Sequence, residues 1–299
     1  MLAITGITGH TGGFFLSELV AGKYQGHVRC MVRSLAGAQH LLNCSLNIEL
    51  IEGNLDDNGS IKQLLSGVDT VVHIANIHYS SQILQIGKEC GVRRFILVHT
   101  TGMYSKHKSA SQGYIDIENE IKPFMDDLNV TILRPTMIFG DMRDYNISKF
   151  IRFVDRLPLL PVVSKGNALI QPINARDLGR ALYQTMNTAC TCGRAYDLSG
   201  ERALSIRELY LLIANQLGKK RMIISVPERI CVICAVLIRC VTFRKIDLVE
   251  KVQRMSENRS YNHQKAVADF GYAPECFEVG LQREINEYLD SRRKNRGKL

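Results

Sequence analysis

Three glycines, Gly6, Gly9 and Gly12 in the segment TGITGHTGG, constrain this chain more than any other feature. They stand at Gly-x-x-Gly-x-x-Gly spacing, directly after a short apolar run over 2–5 and ahead of a stretch with helical spacing over 14–20. A strand that turns into a helix through such a segment leaves backbone N–H groups unpaired at the helix N-terminus, where the dipole favours negative charge. Glycine suits the turn because a Cβ would block both the tight bend and the close approach of a phosphate. The segment therefore points to a pyrophosphate held by Gly6, Thr8, Gly9, His10, Thr11 and Gly12. The plainer alternative is a glycine-rich turn that binds nothing. Its place at the head of a strand–helix rhythm argues against that.

The rhythm continues down the first half. Apolar runs of strand length lie at 28–32, 48–51, 68–74, 94–99 and 130–134, and helical spacing recurs at 61–65, 81–90 and 118–127. Several of these runs are continuous, not alternating, as expected for strands covered on both faces. Strand and helix repeated at this spacing, with right-handed crossovers, predict a Rossmann-type doubly wound parallel sheet. After Pro135 the rhythm changes, with prolines at 158, 161 and 172 and a late strand over 195–198. A capped amphipathic helix follows over 205–217, with Ser205 at its N-cap and Glu208 three residues on. The expected organisation is a dinucleotide-binding domain over 1–140 with contributions from about 170–200, an interleaved, smaller and mostly helical substrate lobe over 141–290, and a basic tail over 291–299.

Composition narrows the class. A chain of 299 residues that is 45% hydrophobic can bury a large core and is too apolar for wholesale disorder. The first residues carry no basic n-region, and the longest apolar run, 230–238, is too short to span a bilayer. Nine cysteines at irregular spacing read as reduced thiols of a cytoplasmic protein. Of the net charge of +9, five come from Arg292, Arg293, Lys294, Arg296 and Lys298, in the last nine residues. The remaining +4 is an ordinary surface, and no aromatic-interleaved basic motif suggests nucleic acid.

Other constellations carry less. Cys190, Cys192, Cys231 and Cys234 have the outline of a four-thiolate zinc site, but Cys231 and Cys234 sit inside an apolar run where helical packing is simpler. His78, His107 and His263 lack metal-ligand spacing, so no metal is expected. The most apolar stretch is 227–244. Its simpler reading is a buried helix of the smaller lobe. The alternative lays it on a membrane surface with Arg229, Arg239 and Arg244 at the headgroups and the basic tail adding attraction.

The second strand ends at Arg33, about twenty residues past the glycines, where NAD sites tend to place an acid for the ribose 2′-hydroxyl. An arginine suits a 2′-phosphate instead, so NADP is expected in preference to NAD. Against this, Arg33, like Arg29, could simply face solvent.

TGITGHTGG, GNLDD at 53–57, HIAN at 73–76 and ILRPTMIFG at 132–140 follow the order seen in extended and atypical short-chain dehydrogenases. The chain resembles the NAD-dependent epimerase/dehydratase group, close to its NmrA-like branch. PINARDLGRAL at 172–182, YDLSGERALSIREL and KAVADFGYAP resemble the matching C-terminal signatures, so the likeness runs from residue 2 to about 289. The resemblance implies that Asn54 replaces a family Asp at the adenine amino group, with Leu55 giving a backbone contact. It also implies that Ala75 and Asn76 pass beneath the ribose and phosphates, and that Pro135 and Thr136 enclose the nicotinamide end. It implies an oxidoreductase or epimerase acting on a small molecule, either a nucleotide sugar or a small carbonyl compound.

Family chemistry uses a Tyr hydroxyl as acid/base, a Lys four residues on that lowers its pKa, and a Ser or Thr that orients the substrate oxygen. Thr100 falls at the Ser/Thr position and Tyr114 is the best candidate tyrosine, yet four residues later stands Glu118. A gapless count back from Arg134 puts Asp116 at the Lys position, and Lys106, Lys108 and Lys122 are not at i+4. A free tyrosine titrates near ~10 and a carboxylate neighbour would raise that further. Two expectations follow. One is an atypical enzyme in which Tyr104, Tyr114 or His99 donates the proton. The other is a dinucleotide sensor or partner-binding protein without turnover, as NmrA-like regulators suggest.

Overall fold

The computed structural model describes residues 1–241 and 249–296. Its first half alternates β1 (Leu2–Thr5), α1 (His10–Ala21), β2 (Val28–Val32), α2 (Leu35–Ala38), β3 (Ile48–Glu52), α3 (Asn58–Leu65), β4 (Thr70–His73), α4 (Ser80–Glu89), β5 (Arg94–Val98), α5 (Lys108–Asp127) and β6 (Asn129–Pro135). The second half runs β7 (Ile138–Phe139), α6 (Ile147–Arg156), β8 (Leu159–Val163), β9 (Leu169–Ile170), β10 (Ile173–Asn174), α7 (Ala175–Met186), β11 (Arg194–Leu198), β12 (Leu204–Ser205), α8 (Ile206–Gln216), β13 (Met222–Val226), α9 (Glu228–Val241), α10 (Val249–Arg254), α11 (Gln264–Phe270) and α12 (Phe277–Arg296).

The main sheet has seven parallel strands in the order β11-β6-β5-β4-β1-β2-β3. This is the Rossmann-type doubly wound sheet that the rhythm predicts. Strand order reverses at β1, because the chain runs outward through β2 and β3, then crosses back to β4. The crevice at such a reversal, outside the carboxyl ends of the strands, is where open sheets bind ligands. Two apolar cores cover the sheet: Phe15, Leu19, Leu178 and Leu182 on one face, and Ile61, Leu65, Ile83 and Ile121 on the other. A third core, around Ile147, Leu160, Leu209 and Leu281, belongs to the elements after β6. No helix among the described residues is long and apolar enough to cross a membrane.

Side-chain partners fix several local features. Asp57 caps α3 by accepting from the Gly59 and Ser60 amides at 3.2 and 2.8 Å. Ser205 caps α8 by accepting from Glu208 N, but the Glu208 carboxylate turns to Arg202 and leaves the reciprocal half of the box unmade. Arg29 does not face solvent. Its guanidinium pairs with Glu49 at 2.8 Å and donates to the Ser66 carbonyl at 2.7 Å.

Three expectations need correction. The helix read over 118–127 begins ten residues earlier, at Lys108. Its first turns, rich in Ser and Gly, have weak intrinsic helicity, and Ser111 is buried, so packing overrides propensity there. Tyr114 therefore lies within α5. The stretch over 227–244 is not a buried helix within its described part. On α9, Ile230, Ile233 and Leu237 are exposed and Ala235 is buried. Residues 242–248, with Arg244, lie outside the described residues. Finally, α12 continues through the basic run to Arg296, and the Arg292 guanidinium is bonded to the buried Asp155, so this charge is not simply solvated.

Candidate functional site

The turn after β1 is built by glycine. Gly6 sits at φ +77°, and a Cβ there would stand 2.8 Å from the Ala75 amide nitrogen, so the β1 and β4 ends could not come together around a larger residue. Gly9 is the N-cap of α1, with no side-chain cap, and the first turn of the helix carries no acidic residue. The His73 ring locks the floor of the site. It is fully buried between Thr5 Oγ1 at 2.7 Å and the Asn76 carbonyl at 3.1 Å, and burial lowers its pKa to about 4.

Around this turn lies a cavity of about 530 Å³ at the carboxyl ends of β1 to β4. Gly6, Thr8, Gly9, Arg33, Asn54, Leu55, Ala75 and Asn76 all line it. Arg33 is exposed at its edge. The one acid at the end of β3, Glu52, is turned onto the Leu35 amide at 2.8 Å. Sequence reasoning missed Asp56 and Tyr79, which also line the cavity and are joined by a 2.6 Å hydrogen bond from the Tyr79 hydroxyl. Asp56 further accepts from the Asn54 side-chain amide at 2.9 Å and so orients it.

His10, Thr11, Gly12 and Pro135 are not among the residues lining the cavity. Thr11 is buried, and Gly12 packs against the Gly6 carbonyl. The Pro135 carbonyl accepts from Thr101 Oγ1 at 3.2 Å. The His10 ring points to Asp141, with Nε2 3.5 Å from Oδ2, and burial lowers its pKa against the pull of that carboxylate.

Behind His10, Glu284 is fully buried, accepts from the Gly140 amide at 3.2 Å and faces Asp144. Burial, reinforced by Asp144, pushes its pKa up to about 10. A carboxyl raised in the folded state contributes most below its unfolded value, and that contribution is lost as pH rises towards the folded value. Glu284→Gln keeps a neutral acceptor for Gly140. It should raise Tm by several degrees at about pH 8, since ~1 kcal/mol moves Tm about 2–4 °C in chains of about 150–250 residues. The gain should shrink towards about pH 5, and a scan showing the same gain at both would remove the buried-carboxyl explanation.

A second cavity, of about 290 Å³, opens at the carboxyl ends of β5 and β6. Thr100 and Thr136 line it together with Ser105, Gln171, Arg254, Glu257, Arg259 and Tyr261. The last six were not foreseen. They come from separate stretches with no shared motif, and only tertiary packing of the segments around 171 and 254–261 against the ends of β5 and β6 assembles them. Glu257 holds the near wall by accepting from Ser105 Oγ at 3.0 Å and the Lys106 amide at 2.6 Å.

The three candidate catalytic residues fare differently. Thr100 accepts from the Gly102 amide at 3.0 Å and faces the second cavity. The Tyr114 ring edge and Thr100 Oγ1 both border Gly102, where a Cβ would stand 3.1 Å from Tyr114 Cε2 and 3.2 Å from Thr100 Oγ1, but Tyr114 is not among the residues lining either cavity. Tyr104 is committed elsewhere. Its hydroxyl donates to Asp197 at 3.0 Å and accepts from Arg134 at 3.2 Å, and burial, aided by Asp197, pushes its pKa up to about 12.

Glu118, at the position expected for Lys, is clamped. Arg134 Nε donates to it at 2.7 Å and a second Arg134 nitrogen pairs with its other oxygen. His99 Nδ1 lies 3.2 Å away, and His99 Nε2 reaches Ser80 Oγ at 3.1 Å. Burial alone would raise the Glu118 pKa, but Arg134 and His99 outweigh it and hold the carboxyl at about 2. Burial likewise lowers the His99 pKa against the pull of Glu118. No ammonium stands four residues after Tyr114, and the carboxylate there is neutralised by Arg134 instead.

Cys190 lies within a short 3-10 turn, Ala189–Thr191, and Cys192 follows it, while Cys231 and Cys234 lie on α9. Among the described residues no group of three His, Cys, Asp or Glu is placed to hold a metal ion.

Comparison with known proteins gives a consistent picture. The model of the NmrA-like family matches residues 1–267. Subunit 9 of the NADH dehydrogenase (ubiquinone) 1 alpha subcomplex, mitochondrial, from Dictyostelium discoideum is 24% identical over 235 residues, which cover 71% of this chain and 62% of that protein. The chain thus spans less than two thirds of that relative. Two solved structures share the fold. dTDP-glucose 4,6-dehydratase from Streptomyces venezuelae, with NAD bound, gives a TM-score of 0.74 at 19% identity over 97% of both chains. UDP-glucuronic acid 4-epimerase from Bacillus cereus, in complex with UDP-glucuronic acid and NAD, gives 0.75 at 15% identity, covering 97% of this chain and 99% of that one.

Proposed function

The chain belongs to the NmrA-like family, and on that footing we propose that it binds a nicotinamide dinucleotide in the first cavity, NADP in preference to NAD. One observation carries this reading: residues from the ends of four separate strands converge on a single cavity at the uncapped N-terminus of α1. The fit is chemical as well as spatial. Gly6 and Gly9 present bare backbone where phosphates need close approach, and Arg33 offers a cation at the edge where NAD sites carry an acid. Asn54 and Leu55 would hold the adenine, and Ala75 and Asn76 the ribose and phosphates.

The second cavity is the proposed substrate site, for a nucleotide sugar or a small carbonyl compound. A bound nicotinamide supplies a hydride donor or acceptor there. Thr100 orients the substrate oxygen, and Tyr114 is the proton donor. Tyr104 is unsuited to that part, because its proton is held by Asp197. A second reading, binding without turnover, is favoured by the clamp on Glu118, which replaces the cation that family chemistry places beside the tyrosine.

Titration with NADP and NAD tests the binding. A panel of sugar nucleotides, quinones and aldehydes, followed at the reduced-nicotinamide absorbance, separates the two readings. Turnover on any of them supports the enzyme, tight binding with none supports the sensor, and failure to bind either dinucleotide defeats both. Arg33→Asp should weaken NADP about tenfold or more while leaving NAD nearly unchanged, a difference of ~1.4 kcal/mol. Equal losses for the two cofactors would remove Arg33 from the argument.

A further inference from the structure

The second lobe presents an apolar strip that the proposed site does not use. Strands β8 and β13 pair in parallel, with Met222 beside Leu159 and Ile224 beside Pro161. One face of this ribbon, through Leu160, Val162 and Ile223, packs into the third core. The other leaves Leu159, Met222 and Ile224 exposed at 44%, 62% and 41%. Pro227 turns the chain directly into α9, where Ile230, Ile233 and Leu237 fall on one side at i, i+3 and i+7 and are exposed at 49%, 58% and 57%. Ser225, Pro227, Arg229 and Ile233 line one shallow groove where the ribbon end meets the helix, so the apolar side of α9 begins where the ribbon ends.

Charge decides what this surface fits. Arg156 and Lys220 stand exposed at the end of the ribbon that carries Leu159 and Met222, while Arg221 there is taken up by the Val154 and Asp155 carbonyls, and Lys165 and Arg229 stand at the other end. Among the described residues of the ribbon and α9, Glu228 is the one acid, and the nearby Asp155 is buried and taken up by Lys219 and Arg292. A second copy docked by a two-fold axis would set these cationic ends against one another. An anionic surface would not. The described part of α9 has 14 residues, and no helix among the described residues is long and apolar enough to cross a bilayer. A short apolar face rimmed by Lys and Arg is what lies in a membrane interface.

We propose that the β8–β13 ribbon and α9 form a docking face for an anionic lipid surface, with Met222, Ile224, Ile230, Ile233 and Leu237 entering the headgroup boundary. Lys165, Lys220 and Arg229 engage the lipid charges. The association is peripheral and reversible, and it leaves the two cavities at the strand ends free.

Co-sedimentation of the full chain with vesicles of phosphatidylcholine and phosphatidylglycerol in equal parts tests this, against phosphatidylcholine alone. Binding is expected on the anionic vesicles, falling steeply as salt shortens the Debye length from about 30 Å at 0.01 M to about 3 Å at 1 M. Met222→Asp with Ile233→Asp should weaken it about tenfold or more, with the melting temperature retained. Lys220→Glu with Arg229→Glu, confined to exposed charges, should weaken it comparably and serves if the first variant misfolds. Absence of vesicle binding at low salt overturns the proposal, as does binding that neither variant changes. A dimer in light scattering that Ile233→Asp dissolves would assign the face to a second copy and overturn it equally.

Discussion

Gly9→Val should weaken dinucleotide binding about a hundredfold, ~2.7 kcal/mol, while the protein stays folded. Gly9 sits at φ −75°, a conformation open to any residue, and its backbone lines the first cavity. A Cβ there meets only the Gly6 carbonyl, at 3.1 Å, a contact relieved by a shift of a few tenths of an ångström. The branched side chain would then occupy space that phosphates need at the N-terminus of α1. Gly12 is the contrasting position. A Cβ there would stand 2.3 Å from the Gly6 carbonyl and 2.6 Å from Ile7 Cα, so Gly12→Val should fail to fold properly. Fluorescence titration with NADPH, read beside a thermal melt, separates the two. Gly9→Val binding at the parent affinity would refute the assignment of this cavity to a dinucleotide.

The second large effect concerns stability. Arg134→Met should destabilise the protein by about 3–5 kcal/mol at neutral pH, because it strands the Glu118 carboxylate in a largely buried position with only His99 beside it. Side-chain exposure is 10% for Glu118 and 16% for Arg134, so water does little to screen the loss. In the parent protein the Glu118 pKa is depressed, so its contribution is present above the unfolded value near ~4.5 and is lost as pH falls towards about 2. In the variant the carboxyl has lost the partner that held it down, so the penalty should shrink on acidification. Adding Glu118→Gln should recover much of the stability, since it removes the buried charge. Urea unfolding measures all three. A single variant within about 1 kcal/mol of the parent would mean the pair is not the buried clamp described here.

The same clamp bears on function. Lysine at position 118 would complete the family's Tyr and Lys spacing, but in this fold it would face Arg134 and His99. The environment of α5 is built around a carboxylate, so the missing lysine is no isolated substitution. Arg134 lies within ILRPTMIFG, yet nothing local to that motif shows that its side chain crosses to α5.

Local physics made much of the fold legible. Gly6, Gly9 and Gly12 mark a turn that few other residues permit, and continuous apolar runs mark doubly covered strands. All seven sheet strands follow from spacing, Gly6 and Arg33 from their places after β1 and β2, and Asn54 and Ala75 from the family resemblance, with the rule that parallel strands present their carboxyl ends together. The pairs β7–β10 and β9–β12 escaped notice because two residues carry no periodicity. The start of α5 escaped because its Ser and Gly residues resemble a loop until Ser111 is seen to be buried.

By itself, then, the sequence determined the sheet, its winding and one turn shaped for a phosphate, since each depends on residues close together along the chain. Tertiary structure alone decided three other things. It surrounded Thr100 with Gln171, Arg254 and Tyr261, it neutralised Glu118 with Arg134, and it left the apolar side of α9 facing outward. These depend on groups brought together from distant parts of the chain, and on which face of an amphipathic element finds a partner. Hydrophobic pattern states that a face is apolar. Only packing states whether protein covers it.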